Sequence, residues 1–542
     1  MRLLSTIKNK KKCLYILVLC EEGEEQVAAA CYVRFGILIN TRHSINAQTV
    51  HRMSSPELAK MRSILFSAAG GAAGGADAGV NPLLREDTAP AIAEHTSPYF
   101  NRMLMQVSKG VKAAMGKTTP AHFRSTDFGD RPDDILALLE KRCQEHSLLS
   151  IEIPGLLMDT RTNERSHRLA AVLQDCPNLQ TLDVSGACIL PAGWLAIGEA
   201  LASCPKLQVL DVSNCKIERH TRGNTQHFAR WLQAGASLTK VNLSHNGLNH
   251  VETDGTLHWI TDALTRCTSL EHLDLSRNEL GEAAAALLQP ALQHCLALKR
   301  LDLSRNSFGA ASAPHVAAAL NECRALEYLD LSANHFDDPS AHHLAAALVE
   351  LQRLRHLDLS SNEFRMQGAS EFMWASHNGM SLTHLDLSDN GIGPFGFADM
   401  TQNHVGRGLT YLNFQNNHID LQNLPDDTPI TELPEIASLV HLNLANNRFG
   451  DNYIRRLIVE LPTCTALTTL NLSSIGVTDA GVRGLPHAIE RLPLLTHLRL
   501  TTNNQITEPM RHEIETAWLR MNDNTDDLHM DPYLLPGQPQ TW

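Results

Sequence analysis

A single phrase, repeated down the chain, limits what this sequence can fold into. LEHLDLSRNEL, at Leu270–Leu280, sets an acid between two leucines of an apolar run, and LKRLDLSRNSF and LEYLDLSANHF follow it. The first apolar strand residue of the phrase falls at Leu182, Leu210, Val241, Leu273, Leu301, Leu329, Leu357, Leu385, Leu412, Leu442, Leu470 and Leu498. Successive intervals run from 27 to 32 residues and seven of the eleven are 28, a constancy that marks a stacked repeat array. LLSIEIPG opens the array with a degenerate thirteenth unit, in register from either Leu149 or Ile151, as suits a terminal capping repeat.

Each unit reads as strand, turn, helix, turn. Leu-x-Leu alternation buries every second side chain of a short strand. An Asn five residues after the first leucine (Asn246, Asn278, Asn306, Asn334, Asn362, Asn390) ends the strand in a turn, where an amide satisfies backbone groups. Stretches such as GEAAAALLQPALQHC and SAHHLAAALVEL then carry Ala and Leu at helical spacing. The expected fold class is α/β, with about 12–13 stacked units.

The pattern CxxLxxLDLSxNxF/L followed by an Ala/Leu helix covers about residues 143–520 and resembles the leucine-rich repeats of the ribonuclease-inhibitor type. That resemblance implies a right-handed, curved horseshoe solenoid with a parallel sheet on the concave side and helices on the convex side. Strands sit ~4.8 Å apart and helices ~10 Å apart, so stacking the two bends the array. Members of that family share a scaffold and differ in what they bind, so the resemblance leaves the ligand open.

With 542 residues, a net charge of −13 and 43% hydrophobic residues, the chain reads as a mildly acidic soluble protein without the basic patch that nucleic-acid binding asks for. Six of its 12 cysteines, Cys176, Cys204, Cys267, Cys295, Cys323 and Cys464, stand six residues before the first strand leucine of their units. Stacking places them in one buried column, where a thiol acts as a small apolar residue and a reducing cytoplasm keeps it so. No CxxC pair offers a zinc knuckle, and the pair His342 and His343 belongs to no HExxH pattern, so neither metal nor cofactor is expected.

Outside the array the sequence says less. Residues 1–52 hold KNKKK and CLYILVLC, whose eight apolar residues are too few to span a bilayer. EEGEE follows without a small-residue cleavage site, which argues against a secretory signal. Two readings of this segment stand, a leader or a gene-model extension ahead of a start at Met53. Residues 53–126, with SAAGGAAGGADAG, read as mostly disordered. In composition such a leader before a repeat array resembles effectors that bacteria export through type III secretion; a plain flexible linker is the alternative. Residues 127–148 are expected to form an N-terminal capping helix, 149–521 the array, and 522–542 a flexible acidic, Pro-containing tail.

Enzyme signatures are weak. GVKAAMGKT, at Gly110–Thr118, approaches a phosphate-binding loop, but five residues separate its glycines where the motif needs four. Too little chain follows Trp518 for an appended catalytic domain to be expected. RPDDILALLEKRC, at Arg131–Cys143, resembles the opening helix of an F-box, which with leucine-rich repeats would make a ubiquitin-ligase adaptor. The array begins so soon after it that a cap over the first repeat is the stronger reading.

Alternation places the residue between the two strand leucines on the exposed face of the sheet rather than in the core. There the column reads Asp183, Asp211, Asn242, Asp274, Asp302, Asp330, Asp358, Asp386, Asn413, Asn443, Asn471 and Arg499. The residue before the first leucine faces the same way and gives Thr181, Val209, Lys240, His272, Arg300, Tyr328, His356, His384, Tyr411, His441, Thr469 and His497. Like charges ~5 Å apart repel by about 1 kcal/mol per pair in a water-like dielectric, so neighbouring cations and Ser hydroxyls are expected to relieve the acids. Protonation of the histidines below about pH 6.5 is expected to relieve them further.

Two readings of the acid column remain compatible: a structural acceptor for the Ser two residues on, and part of a recognition surface for a basic or polar protein. Tyr328 and Tyr411 are the expected aromatic anchors of that surface. Between Asn390 and Leu442 the segments GIGPFGFADMTQNHVGRG and LQNLPDDTPITELPEI lose the Ala/Leu pattern, so broken helices and raised loops are expected there. The resulting functional expectation is a non-catalytic protein-binding solenoid, either intrinsic to its own cytoplasm or exported into a host cell. The ligase adaptor is the first alternative; the other follows from similar repeats in Ran GTPase-activating proteins. No nucleic acid, membrane span or particular oligomeric state is expected.

Overall fold

The computed structural model describes residues 2–9, 12–19, 122–125, 132–145, 147–157, 162–217, 232, 237–248, 256–377, 381–402, 408–422, 436–503, 505–522 and 528–530. They fall in two compact units, Met1–Glu152 and Ile153–Trp542. Among them no helix is long and apolar enough to cross a membrane.

In the first unit, strands Arg2–Asn9 and Lys12–Leu19 pair antiparallel. Strands His122–Arg124 and Ser150–Glu152 pair in parallel, with helix Pro132–Glu145 between them in the chain. Phe123 lies opposite Ile151 and both are fully buried, so the opening unit is in register from Ile151 rather than Leu149. Sequence reading ran the disordered segment to residue 126, yet His122–Arg124 is a strand. One buried Phe between His and Arg offers no alternation to read. The helix compared above with an F-box buries Ile135, Leu136, Leu139 and Cys143 and serves as the crossover of a strand–helix–strand unit. Apart from the strands just given, the expected leader, the disordered segment and the Gly110–Thr118 loop lie outside the described residues.

Ile153–Trp542 is a solenoid. Thirteen described three- or two-residue strands, from Thr181–Asp183 to Leu528–His529, form one open sheet in chain order, each pair parallel. Helices alternate with strands and pack on each other: Gly281–His294, Ala313–Leu320, Asp338–Leu348 and Met366–His377 follow four successive strands. The middle residue of every repeat strand, the leucine or valine of the period, is buried against them. Leu528–His529 falls in the expected flexible tail. Its two residues gain strand geometry by pairing with Leu498 and Arg499, which no local pattern announces. Helix Gly393–Gln402 also departs from expectation, since Pro394 stands at its second position, where a missing N–H costs no helical hydrogen bond. Residues 423–435 lie outside the described residues, and a 3-10 turn, Ile436–Ser438, leads into the next strand.

Buried asparagines bind one unit to the next. Asn334 donates Nδ2–H to the carbonyls of Leu331 in its own unit and Leu303 in the preceding one, at 3.0 and 2.9 Å. Its Oδ1 accepts the N–H of Asn306 at 2.9 Å. Asn246, Asn278, Asn306, Asn362 and Asn390 repeat the two carbonyl bonds. Asn417, Asn447 and Asn503 continue the ladder and were missed in the sequence. Asn417 and Asn447 are the second amides of Asn-Asn pairs and Asn503 is the first of one, and the five-residue spacing would have found all three. Flanking residues take left-handed backbone angles, as at Arg277 and Glu279 around Asn278 (φ 58° and 52°) and Ala333 and His335 around Asn334 (φ 53° and 61°). Non-glycine residues accept this conformation here because the amide between them fixes the turn.

Asn334→Ala leaves buried donors and acceptors without partners at ~1–3 kcal/mol each. The expected loss is about 2–4 kcal/mol of local stability, read by hydrogen exchange as faster opening of the Asn306 amide. Unchanged protection of that amide would show that the ladder carries no such load.

Candidate functional site

Register brings the two predicted columns together on the open face of the sheet. Arg300, Tyr328, His356, His384, Tyr411 and His441 are aligned strand to strand, with His272 before them. Asp274, Asp302, Asp330, Asp358 and Asp386 align the same way one column over. All twelve residues singled out in the sequence therefore occupy one surface.

The first column is a stack. Neighbouring strands hold side chains ~4.8 Å apart, within reach of ring contact. Tyr328 and His356 stack with centroids 4.1 Å apart, His356 and His384 at 3.7 Å, and His384 and Tyr411 at 3.7 Å, with interplanar angles of 8–21°. Arg300 closes one end, its guanidinium carbon 3.4 Å from the Tyr328 centroid. At the other end His441 is tilted by 50° at 5.8 Å from Tyr411, so the stack stops there. The ring faces are spent on one another, and the column offers its ring edges to solvent.

The acid column sits deeper than alternation alone suggests. Asp386 is only 8% exposed and Asn413 7%, because the tyrosines lean over them. Tyr411 Oη donates to Asp386 Oδ2 at 3.2 Å and Tyr328 Oη to Asp330 Oδ2 at 3.5 Å. Asn413 Nδ2 also donates to Asp386 Oδ2, at 2.8 Å. On the other oxygen, Asp274, Asp302, Asp330 and Asp386 accept both the hydroxyl and the backbone N–H of the Ser two residues on. Serine thus supplies the expected relief.

The histidines do not. Burial holds His356 and His384 down to about 4, helped for His356 by the charge of Arg300 and for His384 by His356. Burial also lowers His272 and His441. The expected protonation below about pH 6.5 is therefore corrected: the stack excludes the water that an imidazolium needs. Burial first, and then the neighbouring acids, raise Asp358 to about 7, with Asp330 and Asp386 as the charged neighbours. Burial likewise raises Asp274 and Asp302, and pushes Tyr328 and Tyr411 up to about 12. Near neutrality the centre of the face carries neutral rings around a partly protonated Asp358.

The cysteine column is internal and separate from this face. Thiols of Cys267, Cys295, Cys323 and Cys464 donate to carbonyls of the preceding unit, and burial raises them to about 11 or 12. Such thiols are inert packing groups. Among the described residues no group of three or more His, Cys, Asp or Glu is placed to hold a metal ion.

These shifts oppose each other in stability. Between about pH 4 and 6.5 the unfolded chain binds protons that His356 and His384 refuse when folded, so they weaken folding as the pH falls. Folded Asp358 keeps a proton that the unfolded chain releases from about pH 4 upward, so it weakens folding as the pH rises toward 7. His356→Gln with His384→Gln is expected to flatten the loss of stability on acidification; ring-proton titration by NMR should place both wild-type midpoints near 4. Midpoints near 6.5 would mean that the rings are solvated and the stack open.

A family model described as Leucine Rich repeat matches residues 203–218, 266–288, 351–373 and 380–396. Among curated proteins none matches the chain. Of solved structures, an internalin from Listeria monocytogenes is similar at 18% identity and a TM-score of 0.47, over 74% of this chain and 95% of its own. TLR13 in complex with single-stranded RNA is similar at 18% identity and a TM-score of 0.41, over 68% of this chain and 50% of its own. Each segment matched by the family model holds a repeat strand and the turn after it, and three of the four run on into the following helix; over these four stretches the chain is similar to the Leucine Rich repeat.

Proposed function

We propose that the chain is a non-catalytic scaffold that binds a partner protein on the open face of its sheet, centred on the stack from Arg300 to Tyr411. The stack itself carries this reading. Aromatic and arginine side chains dominate binding energy at protein interfaces, and here they are held rigid by their neighbours, so little side-chain entropy is lost on binding. A rigid sheet also positions contacts better than loops do.

The same proposal extends to export: the composition of residues 53–126 suits an effector delivered into a host cell, and secretion of the full chain against a form lacking residues 1–126 tests that part alone. For binding, the full-length protein is compared with Arg300→Glu/Tyr328→Ala/His356→Glu in quantitative capture from candidate host lysate. A helix-side variant, His342→Ala/His343→Ala, serves as control. Capture is expected to fall at least ~30-fold in the face variant, the loss of one hot-spot side chain of about 2 kcal/mol, and to persist in the control. The reverse pattern would move recognition to the helices. Acceleration of GTP hydrolysis on a captured GTPase would overturn the non-catalytic part.

A further inference from the structure

The two oxygens of each acid on the open face do different jobs. Oδ1 accepts the backbone N–H two residues on, in Asp211, Asp274, Asp302, Asp330, Asp358 and Asp386 alike. Asn242, Asn413 and Asn443 make the same bond through the amide oxygen. The fold therefore needs an acceptor at this position and no charge. Five consecutive units from Asp274 to Asp386 nonetheless place a carboxyl there, beside one another and half-buried or deeper.

The second oxygens show where the charge is directed. Those of Asp330 and Asp386 receive tyrosine hydroxyls. Among the described residues the hydrogen bonds to Asp274 and Asp302 all reach Oδ1, leaving their outer oxygens without one, and Asp358 is bonded by Ser360 alone. Around Asp358 stand His356 and Ser360 on its own strand, Tyr328 and Asp330 on one neighbour, and His384, Asp386 and Ser388 on the other. None of these brings a cation at neutral pH, and Arg300, two strands away, lies over Tyr328. Burial and the neighbouring acids raise Asp274, Asp302 and Asp358 together; Arg300, on the strand of Asp302, opposes the rise there without cancelling it.

Building on the protein-binding reading above, we infer that the partner presents a lysine- or arginine-bearing segment. Its cations sit against the carboxylates of Asp274, Asp302, Asp330 and Asp358, and its arrival displaces the proton held at Asp358 into solvent. Charge complementarity selects this occupant. An acidic or apolar segment would leave the row's charge uncompensated and bury it further. A cation at the outer oxygens favours the ionised form, so each carboxyl that was protonated gives its proton to the buffer as the ion pair forms.

Deca-lysine is the probe, titrated calorimetrically into the full-length protein at about pH 6.5, below the point at which Asp358 is fully ionised. Phosphate and imidazole buffers, which differ in heat of ionisation, report protons released. Asp274→Asn/Asp302→Asn/Asp330→Asn/Asp358→Asn removes the charge while keeping the Oδ1 bond that asparagine already makes elsewhere in the array. Glu322→Gln/Glu350→Gln/Glu460→Gln/Glu513→Gln removes the same charge from exposed positions away from the face. Wild type and the second variant are expected to bind with proton release; the first is expected to bind at least ~10-fold more weakly, with none. Equal weakening in both variants, or none in the first, would reduce the effect to overall charge and overturn the inference. In the capture assay, a partner retained by the asparagine variant but lost by the Arg300/Tyr328/His356 variant would overturn the cationic segment and leave the open-face reading standing.

Discussion

Everything on the open face depends on the buried asparagine ladder beneath it. One side-chain amide has two donors and an acceptor with two lone pairs, and here they join carbonyls of two units to a backbone N–H of a third position. A buried backbone group without a partner costs ~1–3 kcal/mol, so a slip of one unit against its neighbour would strand several at once. Leucine burial supplies most of the stabilisation of such an array, but it is non-directional. The amides turn stacked hydrophobic layers into a lattice with one register. Rings can meet face to face across four strands only because that register does not drift.

Desolvation decides the chemistry that this lattice displays. An imidazole beside a row of carboxylates would ordinarily be held charged by them. In the stack, burial opposes that pull and wins, leaving His356 and His384 well below the usual range. Ring–ring contact and protonation compete for the same edge-on geometry, since two stacked imidazolium ions 3.7 Å apart would repel strongly in a poorly hydrated site. Burial under the same packing raises Asp274, Asp302 and Asp358, and the neutral rings offer them no counter-ion. Neutral rings and reluctant acids are thus two consequences of one act of packing.

Most of the fold was legible because its information is periodic. A 28-residue spacing gave the units, period-two alternation gave the two columns, and the cysteine offset gave a buried row. All of those follow from backbone geometry, which sequence spacing encodes directly. What failed was through-space. Strand His122–Arg124 exists because Ser150–Glu152 pairs with it, and Leu528–His529 because His497–Arg499 does. Pro394 was read as a breaker because the position of the helix start, one residue earlier, was not visible in GIGPFGF. The depth of Asp386 depends on a tyrosine 25 residues away reaching across to it. No local pattern states how far a side chain leans, and the charge state of the face turns on that lean.

The placement of the stack within the array follows from the same regularity. From Leu273 to Leu385 every interval is 28 residues, whereas the intervals on either side run to 31 and 32 before it and 27 and 30 after it. Constant unit length keeps successive strands equivalent, so identical positions superpose and rings stack, and the stack carries on through the one-residue shorter interval that separates His384 from Tyr411. Where an interval of 30 residues begins, between Leu412 and Leu442, the column reaches Tyr411 and His441 and the contact opens to 5.8 Å. The five-acid row ends one unit earlier, at Asp386, where Asn413 takes over. Uniform stacking and an unusual surface thus coincide in one stretch of the solenoid. A face assembled from single residues of separate units needs its most constant geometry where its chemistry is most specific.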